Sequence, residues 1–276
     1  MTNPKALLDS YAIAPKKALG QNFLHDPNAL EKIVASAELM PTDTVVEIGA
    51  GTGLLTERLA QAAGRVIAIE LDERLQPVLE GQLSMYRNVT LVFEDVLRVN
   101  IVELVGDTDF SVVANVPYYI TSAILRHLLE PAHRPRRLVL TVQQEVAERV
   151  MAPVGDLNLL AVSVQYYGKP RIVSKLNPAV FWPRPEVSSA VLRIDTYPQP
   201  LVSVPEDAVF FRVVRAGFSQ KRKQLKNAVS SGLMLSQEAT DALFTAADVD
   251  ARRRAETLTL AEWASLARAY AAQTDA

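Results

Sequence analysis

The chain has 276 residues, 49% of them hydrophobic, and a formal charge of −2 at pH 7. That length holds one large domain or one large and one small, and the apolar fraction suffices for a full core. With no cysteine, disulfides, thiolate metal sites and thiol catalysis are all excluded. Three scattered histidines, His25, His127 and His133, argue against a zinc centre, and no metal is expected. There is no apolar run of about eighteen residues for a membrane span. The start, Met1-Thr2-Asn3-Pro4-Lys5, lacks the apolar stretch of a signal peptide. The expectation is a cytoplasmic monomer without a membrane partner.

Short β-branched runs alternate with longer amphipathic ones from Thr44 to about Arg193. The pattern predicts strands at Thr44–Ile48, Arg65–Glu70, Val89–Phe93, Phe110–Ala114, Leu138–Val142, Ala161–Tyr167 and Ser189–Ile194. It predicts helices at Leu54–Ala63, Asp72–Leu83, Thr121–Leu129 and Gln143–Met151. Such alternation implies an α/β fold, a mostly parallel sheet with helices on both faces. The last two strands lack a long helix between them and are expected to pair as an edge hairpin. Tyr197-Pro198-Gln199-Pro200 reads as a linker, because proline continues neither helix nor sheet. From Pro205 to Ala271 the periodicity is helical, with starts at Pro205-Glu206-Asp207 and at Ser236 with Glu238. Four short helices would make a small all-helical second domain, giving domains at 1–200 and 201–276.

Val45-Val46-Glu47-Ile48-Gly49-Ala50-Gly51-Thr52-Gly53 is an apolar strand running into a glycine turn. Glycine lets the backbone take positive φ and approach a ligand closely, and open parallel sheets bind ligands at the carboxyl ends of strands. A nucleotide cofactor is expected there. A dinucleotide fingerprint would require glycine at position 54, which is Leu54. Hydride transfer with a nicotinamide is thereby disfavoured. S-adenosylmethionine has no pyrophosphate but carries a sulfonium and an ammonium, which suit the acid Glu47 beside the turn. Glu70 ends the second strand, where a carboxylate can accept both ribose hydroxyls. Asp95, just past the third strand, can receive an adenine amine.

Asn115-Val116-Pro117-Tyr118 follows the fourth strand. An exocyclic adenine nitrogen is a poor nucleophile because its lone pair is delocalised into the ring. Accepting hydrogen bonds from both of its N–H groups biases it toward tetrahedral geometry. The Asn115 side-chain oxygen and the Val116 carbonyl are suited to this, Pro117 stiffens the turn, and Tyr118 offers a ring for stacking. Stacking of that kind is worth about 1–3 kcal/mol per base. The alternative is a simple turn after a strand. Phe181-Trp182-Pro183-Arg184-Pro185 is a second proline-stiffened aromatic loop, from which Phe181 is expected to reach the other face of the base; the alternative is a packed loop. Finally, Arg212, Arg215, Lys221, Arg222, Lys223 and Lys226 fall in one stretch with no acid among them. Of these, Arg215, Lys221, Arg222, Lys223 and Lys226 are the expected contacts to RNA phosphates, with an ordinary solvated helix face as the alternative.

These motifs together resemble the ribosomal RNA adenine N6-dimethyltransferases of the KsgA/RsmA type. The resemblance runs from about Lys16 to Tyr270. It is carried by Lys17-Ala18-Leu19-Gly20-Gln21-Asn22-Phe23-Leu24, Glu47–Gly53, Glu70, Asp95, Asn115–Tyr118, Gln143-Gln144-Glu145-Val146, Phe181–Ser189 and Phe218–Asn227. It implies a class I, Rossmann-like methyltransferase sheet and S-adenosylmethionine as cofactor. The implied substrate is 16S rRNA in the assembling 30S particle, dimethylated at two adjacent adenosines near its 3′ end. It further implies that Asn22 and Leu24 line the cofactor with Gly49, Gly51, Glu70, Asp95 and Asn115, and that the helical domain helps to bind rRNA. One departure stands in the segment expected to open the sixth strand. Relatives usually have Tyr-Gly before Leu-Ser-Val; here the stretch is Gly155-Asp156-Leu157-Asn158-Leu159-Leu160-Ala161-Val162. Rival readings are a 23S rRNA adenine methyltransferase of the macrolide-resistance type and a noncatalytic RNA-binding assembly factor. The Phe218–Asn227 stretch, with Trp263 beyond it, favours the small-subunit type.

Overall fold

A computed structural model describes residues 3–220 and 222–274. The chain divides into two compact units. The first runs to Ala147 and takes in Pro170–Thr196; the second comprises Glu148–Lys169 and the chain from Tyr197 onward. The expected domain division at residue 200 differs from this in two respects: the boundary falls four residues earlier, after Thr196, and the helical unit also recruits Glu148–Lys169 from the middle of the chain.

The first unit is built on a seven-stranded sheet. The strands, in chain order, are β2 (Thr44–Ile48), β3 (Arg65–Glu70), β4 (Val89–Phe93), β5 (Phe110–Asn115), β6 (Arg137–Gln143), β7 (Gly168–Leu176) and β9 (Ser189–Thr196). Two short strands, β1 (Phe23–Leu24) and β8 (Phe181–Trp182), pair antiparallel in a separate ribbon. The sheet order is β4-β3-β2-β5-β6-β9-β7. β2 runs parallel to β3 and β5, β3 to β4 and β5 to β6, whereas β9 is antiparallel to β6. Every residue of β2 is buried, as a central parallel strand covered on both faces requires. The chain builds outward from β2 through β3 to β4, then returns to place β5 on the other side. The carboxyl ends of β2 and β5 therefore flank a topological switch point, where an open α/β sheet has its ligand crevice.

Six of the seven expected strands form within two residues of the expected bounds; one does not. Ala161–Tyr167 is not a strand but lies in the helix Leu159–Tyr167, and the edge strand follows it as β7. The Val and Tyr content favours extended structure, but a short apolar run does not distinguish a strand from a buried helix. Here the Asn158 side chain accepts the Ala161 N–H at 3.1 Å and starts the helix. Burial of Leu160, Ala161, Val162, Val164, Tyr166 and Tyr167 holds it within the second unit. Gly155–Leu160 is thus a loop leading into a helix, fastened by the Gly155 N–H to the Glu256 carbonyl at 2.9 Å.

In the second unit the helices Asp207–Phe218, Leu225–Leu233, Gln237–Ala247 and Leu260–Thr274 follow the expected helical pattern. Ser236 caps Gln237–Ala247 by accepting the Ala239 N–H at 3.1 Å. Asp207 accepts the hydroxyls of Tyr166 at 2.6 Å and Tyr167 at 2.8 Å, tying the recruited helix to Asp207–Phe218. Tyr166 stacks on Phe210 with ring centroids 4.4 Å apart. Gly217 is required by packing, since any Cβ there would overlap the ring of the fully buried Trp263.

Candidate active site

The glycine turn is made at the end of β2. The N–H groups of Gly49 and Ala50 both point at the Ile69 carbonyl, at 2.8 and 3.3 Å. Gly49, Gly51 and Gly53 have φ of 77°, 57° and 82°, a region costly for any residue with a Cβ. Gly51 also needs its bare Cα for space, because a Cβ would meet the Phe23 ring at 3.0 Å. Helix Leu54–Ala62 starts immediately afterwards.

Two adjoining cavities open here. The larger, about 780 Å³ including its mouth, is lined by Asn22, Gly49, Gly51, Glu70, Asp95 and Asn115, with Val116–Ile120 along one wall. The smaller, about 290 Å³, is lined by Leu24, Glu47, Gly49, Gly51 and Asn115. All of the cofactor residues expected from the sequence therefore line one cavity or the other. Glu47, Glu70, Glu94 and Asp95 face this space, while among the described lining residues there is no lysine, arginine or histidine. Such a donor set suits a cationic ligand and offers no cationic side chain to a pyrophosphate. Glu47 sharpens the point: its Oε2 is buried without a hydrogen-bond partner among the described residues. Burial, with Glu70 nearby, pushes its carboxyl up to about 8 against the opposing Thr56 side chain. An S-adenosylmethionine sulfonium and ammonium fit this surrounding.

Glu70 is held by backbone. Its Oε2 accepts the Gly51 N–H at 2.8 Å and its Oε1 the Asp72 N–H at 2.9 Å. Burial raises its pKa, and the N–H groups of Asp72, Gly51 and Leu71 oppose that shift. Each carboxylate oxygen retains a second lone pair for a ligand. Asp95 accepts the Leu97 N–H at 3.0 Å.

Asn115, the last residue of β5, lies where the two cavities meet. Its Nδ2 donates to the Asn22 carbonyl at 2.9 Å. A carbonyl can only accept, so this bond fixes the amide with Oδ1 turned away from Asn22. Val116 is buried and donates its N–H to the Thr141 carbonyl at 3.3 Å. Pro117 precedes the 3-10 turn Tyr118–Ile120. Tyr118 is half-buried, and its hydroxyl pairs with Ser189 Oγ at 2.6 Å. Tyr119, 61% exposed, stands on the cavity wall beside Gly20.

The segment bearing Asn22 is itself anchored by residues to which the sequence reading gave no role. Gln21 Nε2 donates to Asp72 Oδ2 at 2.9 Å, and Lys16 Nζ lies 3.5 Å from Oδ1. The Arg74 guanidinium grips both Asp72 oxygens, holding that carboxyl well below the usual carboxylate range. The one available signal was an acid two residues beyond Glu70, with Arg74 two residues further on.

One expectation needs correction. Phe181 does not line either cavity. It is 3% exposed and packs in the core with Leu24, Leu54, Leu55 and Val113, because its pairing with Leu24 turns the ring inward. Its neighbour Trp182 instead stacks on Phe23, with ring centroids 6.4 Å apart. In the basic cluster, Arg215, Arg222 and Lys223 are exposed, and Lys221 lies outside the described residues. Lys226 is ion-paired with Asp241, so its charge is not offered to solvent alone.

A switch-point cleft walled by carboxylates, with an Asn-x-Pro-Tyr turn at the end of β5, defines a class I methyltransferase that uses S-adenosylmethionine. The particular family follows from comparison. The profile of the family described as "Ribosomal RNA adenine dimethylase" matches residues 14–272. The chain belongs to that family and is an rRNA adenine dimethyltransferase. It is 42% identical over 272 residues to the ribosomal RNA small subunit methyltransferase A of Dehalococcoides mccartyi strain CBDB1, covering 98% of this chain and 94% of that protein. The protein of the same name from Moorella thermoacetica is 46% identical over 274 residues, 95% of each chain. Among solved structures, a dimethyladenosine transferase from Plasmodium falciparum is 26% identical with a TM-score of 0.76, covering 88% of this chain and 95% of that one. The 23S rRNA methyltransferase ErmE is 27% identical with a TM-score of 0.70, covering 90% and 99%.

Proposed function

We propose that this enzyme dimethylates N6 of two adjacent adenosines near the 3′ end of 16S rRNA in the assembling 30S particle. The observation that carries the catalytic assignment is the Asn115–Asn22 hydrogen bond. With Nδ2 committed to a carbonyl, the amide presents an acceptor, which is what an adenine amino group requires. S-adenosylmethionine supplies an electrophilic methyl group when bound. Glu70 holds the ribose hydroxyls, Asp95 receives the cofactor's adenine amine, and the Asn22–Leu24 segment with Gly49 and Gly51 completes the wall. Asn115 Oδ1 and the Val116 carbonyl accept the two N–H groups of the target nitrogen and free its lone pair for attack. Tyr118 supports the base from one face, with Pro117 limiting how far the loop can drift. Positioning provides most of the rate, and the proton can leave once methylation has made the nitrogen acidic. No side chain has to act as a strong base, in keeping with the absence of histidine from the described walls.

Arg215, Lys221, Arg222 and Lys223 contact the rRNA backbone. The small subunit is favoured over 23S rRNA because the small-subunit relatives are 42% and 46% identical, against 27% for the 23S enzyme. The test is methyl transfer from labelled S-adenosylmethionine onto undermethylated small and large subunits, with the modified base mapped. Label in two adjacent adenosines of the small subunit is expected. Label confined to the large subunit overturns the substrate, and no transfer to either overturns the activity.

A further inference from the structure

We propose that Ser189 is a positioning residue for methyl transfer, holding the Tyr118 ring at the angle on which the target base stacks. This rests on the reading of Tyr118 as the base platform. Nothing in the sequence assigned Ser189 a role beyond membership of the Phe181–Ser189 motif.

Tyr118 has little support from its own loop. It opens a single 3-10 turn that has no side-chain cap, and its neighbour Tyr119 is largely exposed. The loop alone leaves the ring free to turn about two torsions. Its outer end is instead tied down by the 2.6 Å bond between the Tyr118 hydroxyl and Ser189 Oγ. Ser189 is a firm anchor. It is fully buried and is the first residue of β9, which is paired with β6 from Ser189↔Gln143 through to Arg137↔Asp195. The Gln144 N–H also donates to the Ser188 carbonyl at 3.0 Å. One end of the ring is thus fixed by the catalytic loop and the other by the sheet. A buried tyrosine hydroxyl needs such a partner in any case. What makes this partner functional is where it holds the ring, on the wall beside Asn115. The Phe181–Ser189 motif then serves the site through its last residue, not through the buried Phe181.

The experiment compares steady-state kinetics of Tyr118→Phe, Ser189→Ala and the double variant on undermethylated small subunits, with Tyr118→Ala as reference. Tyr118→Phe keeps the ring and its packing, so its effect does not depend on refolding. Each single variant should lower kcat about fivefold to tenfold, the effect of one ordinary hydrogen bond. KM for S-adenosylmethionine should stay within about twofold of the parent value. The double variant should fall no further than either single one, because both remove the same bond. Additive losses would overturn the proposal, as would wild-type kcat in Tyr118→Phe. So would a Ser189→Ala loss matched by a drop in melting temperature while Tyr118→Phe is normal, which marks a purely structural serine. Full kcat in Tyr118→Ala overturns the platform reading and this inference together. A large Tyr118→Ala loss with normal Tyr118→Phe and Ser189→Ala overturns only the role of Ser189.

Discussion

Around the glycine turn of the first unit, polar side chains are buried or half-buried and held by fixed partners: Glu70 by two backbone N–H groups, Asn115 by the Asn22 carbonyl, and Asp72 by the side chains of Arg74, Gln21 and Lys16. On the second unit, Arg215, Arg222 and Lys223 are exposed on and just beyond helix Asp207–Phe218. The first arrangement fixes the direction of a few polar atoms through defined hydrogen bonds. The second leaves flexible cations in solvent, where a long-range field counts for more than any one geometry. On the proposed reading, the contrast separates two tasks, preorganised chemistry and nonspecific attraction of a polyanion. They should fail in different ways when disturbed.

The largest effect should come from the acceptor itself. Asn115→Ala should lower kcat by about 10²–10³, the range found when one preorganised hydrogen-bonding group is lost from a reaction centre. S-adenosylmethionine binding, measured by calorimetry, should be largely retained. Near-normal kcat would show that the tied amide is only a structural cap on β5, and the contrast between the units would collapse.

On the second unit, reversing Arg215 and Lys223 to glutamate should leave kcat at saturating substrate within about threefold of the parent value and weaken binding to the particle. The plot of log affinity against log salt should lose about one unit of slope for each phosphate contact removed. An unchanged slope would mean that these residues form an ordinary solvated face.

The smallest effect concerns the buried acid beside the turn. In the folded protein the Glu47 carboxyl is pushed up to about 8 from an ordinary value of 4.5. Between those values the folded state binds more protons than the unfolded one. The stability it contributes is therefore full below about pH 4.5 and is lost as pH rises toward about 8. Glu47→Gln carries no such charge. Without cofactor, the melting temperature of the variant relative to the parent should climb by a few degrees between about pH 5 and 8. Parallel curves would mean that Glu47 titrates as an exposed carboxyl does and is not the strained group that a cationic ligand would relieve.

Much of the site was legible because its residues are local in sequence. Gly49, Gly51 and Gly53 share one turn, Glu70 ends the next strand, and Asn115–Tyr118 form a single tetrapeptide. Strand periodicity located each at a carboxyl end, and an open parallel sheet gathers its carboxyl ends. The helix Leu159–Tyr167 was not legible, since Val and Tyr favour strands and only the Asn158 cap and burial within the second unit reverse that preference. Nor did the sequence distinguish Phe181 from Trp182, because which of two adjacent aromatic rings faces inward depends on the pairing of β8 with β1.

Sequence alone determined the fold class, the glycine turn, the place of the Asn115–Tyr118 tetrapeptide after β5 and the basic cluster, since each is a contiguous pattern of residue types with a local physical cause. Only the tertiary structure decided that Glu148–Lys169 joins the helical unit, that Lys226 is paired with Asp241, and that Phe181 belongs to the core. It also decided which way the Asn115 amide points and what holds Tyr118. Those outcomes depend on Asn22, 93 residues before Asn115, and Ser189, 71 residues after Tyr118. Contacts across such separations carry no periodicity, and they exist only once β-strand pairing has brought the segments together.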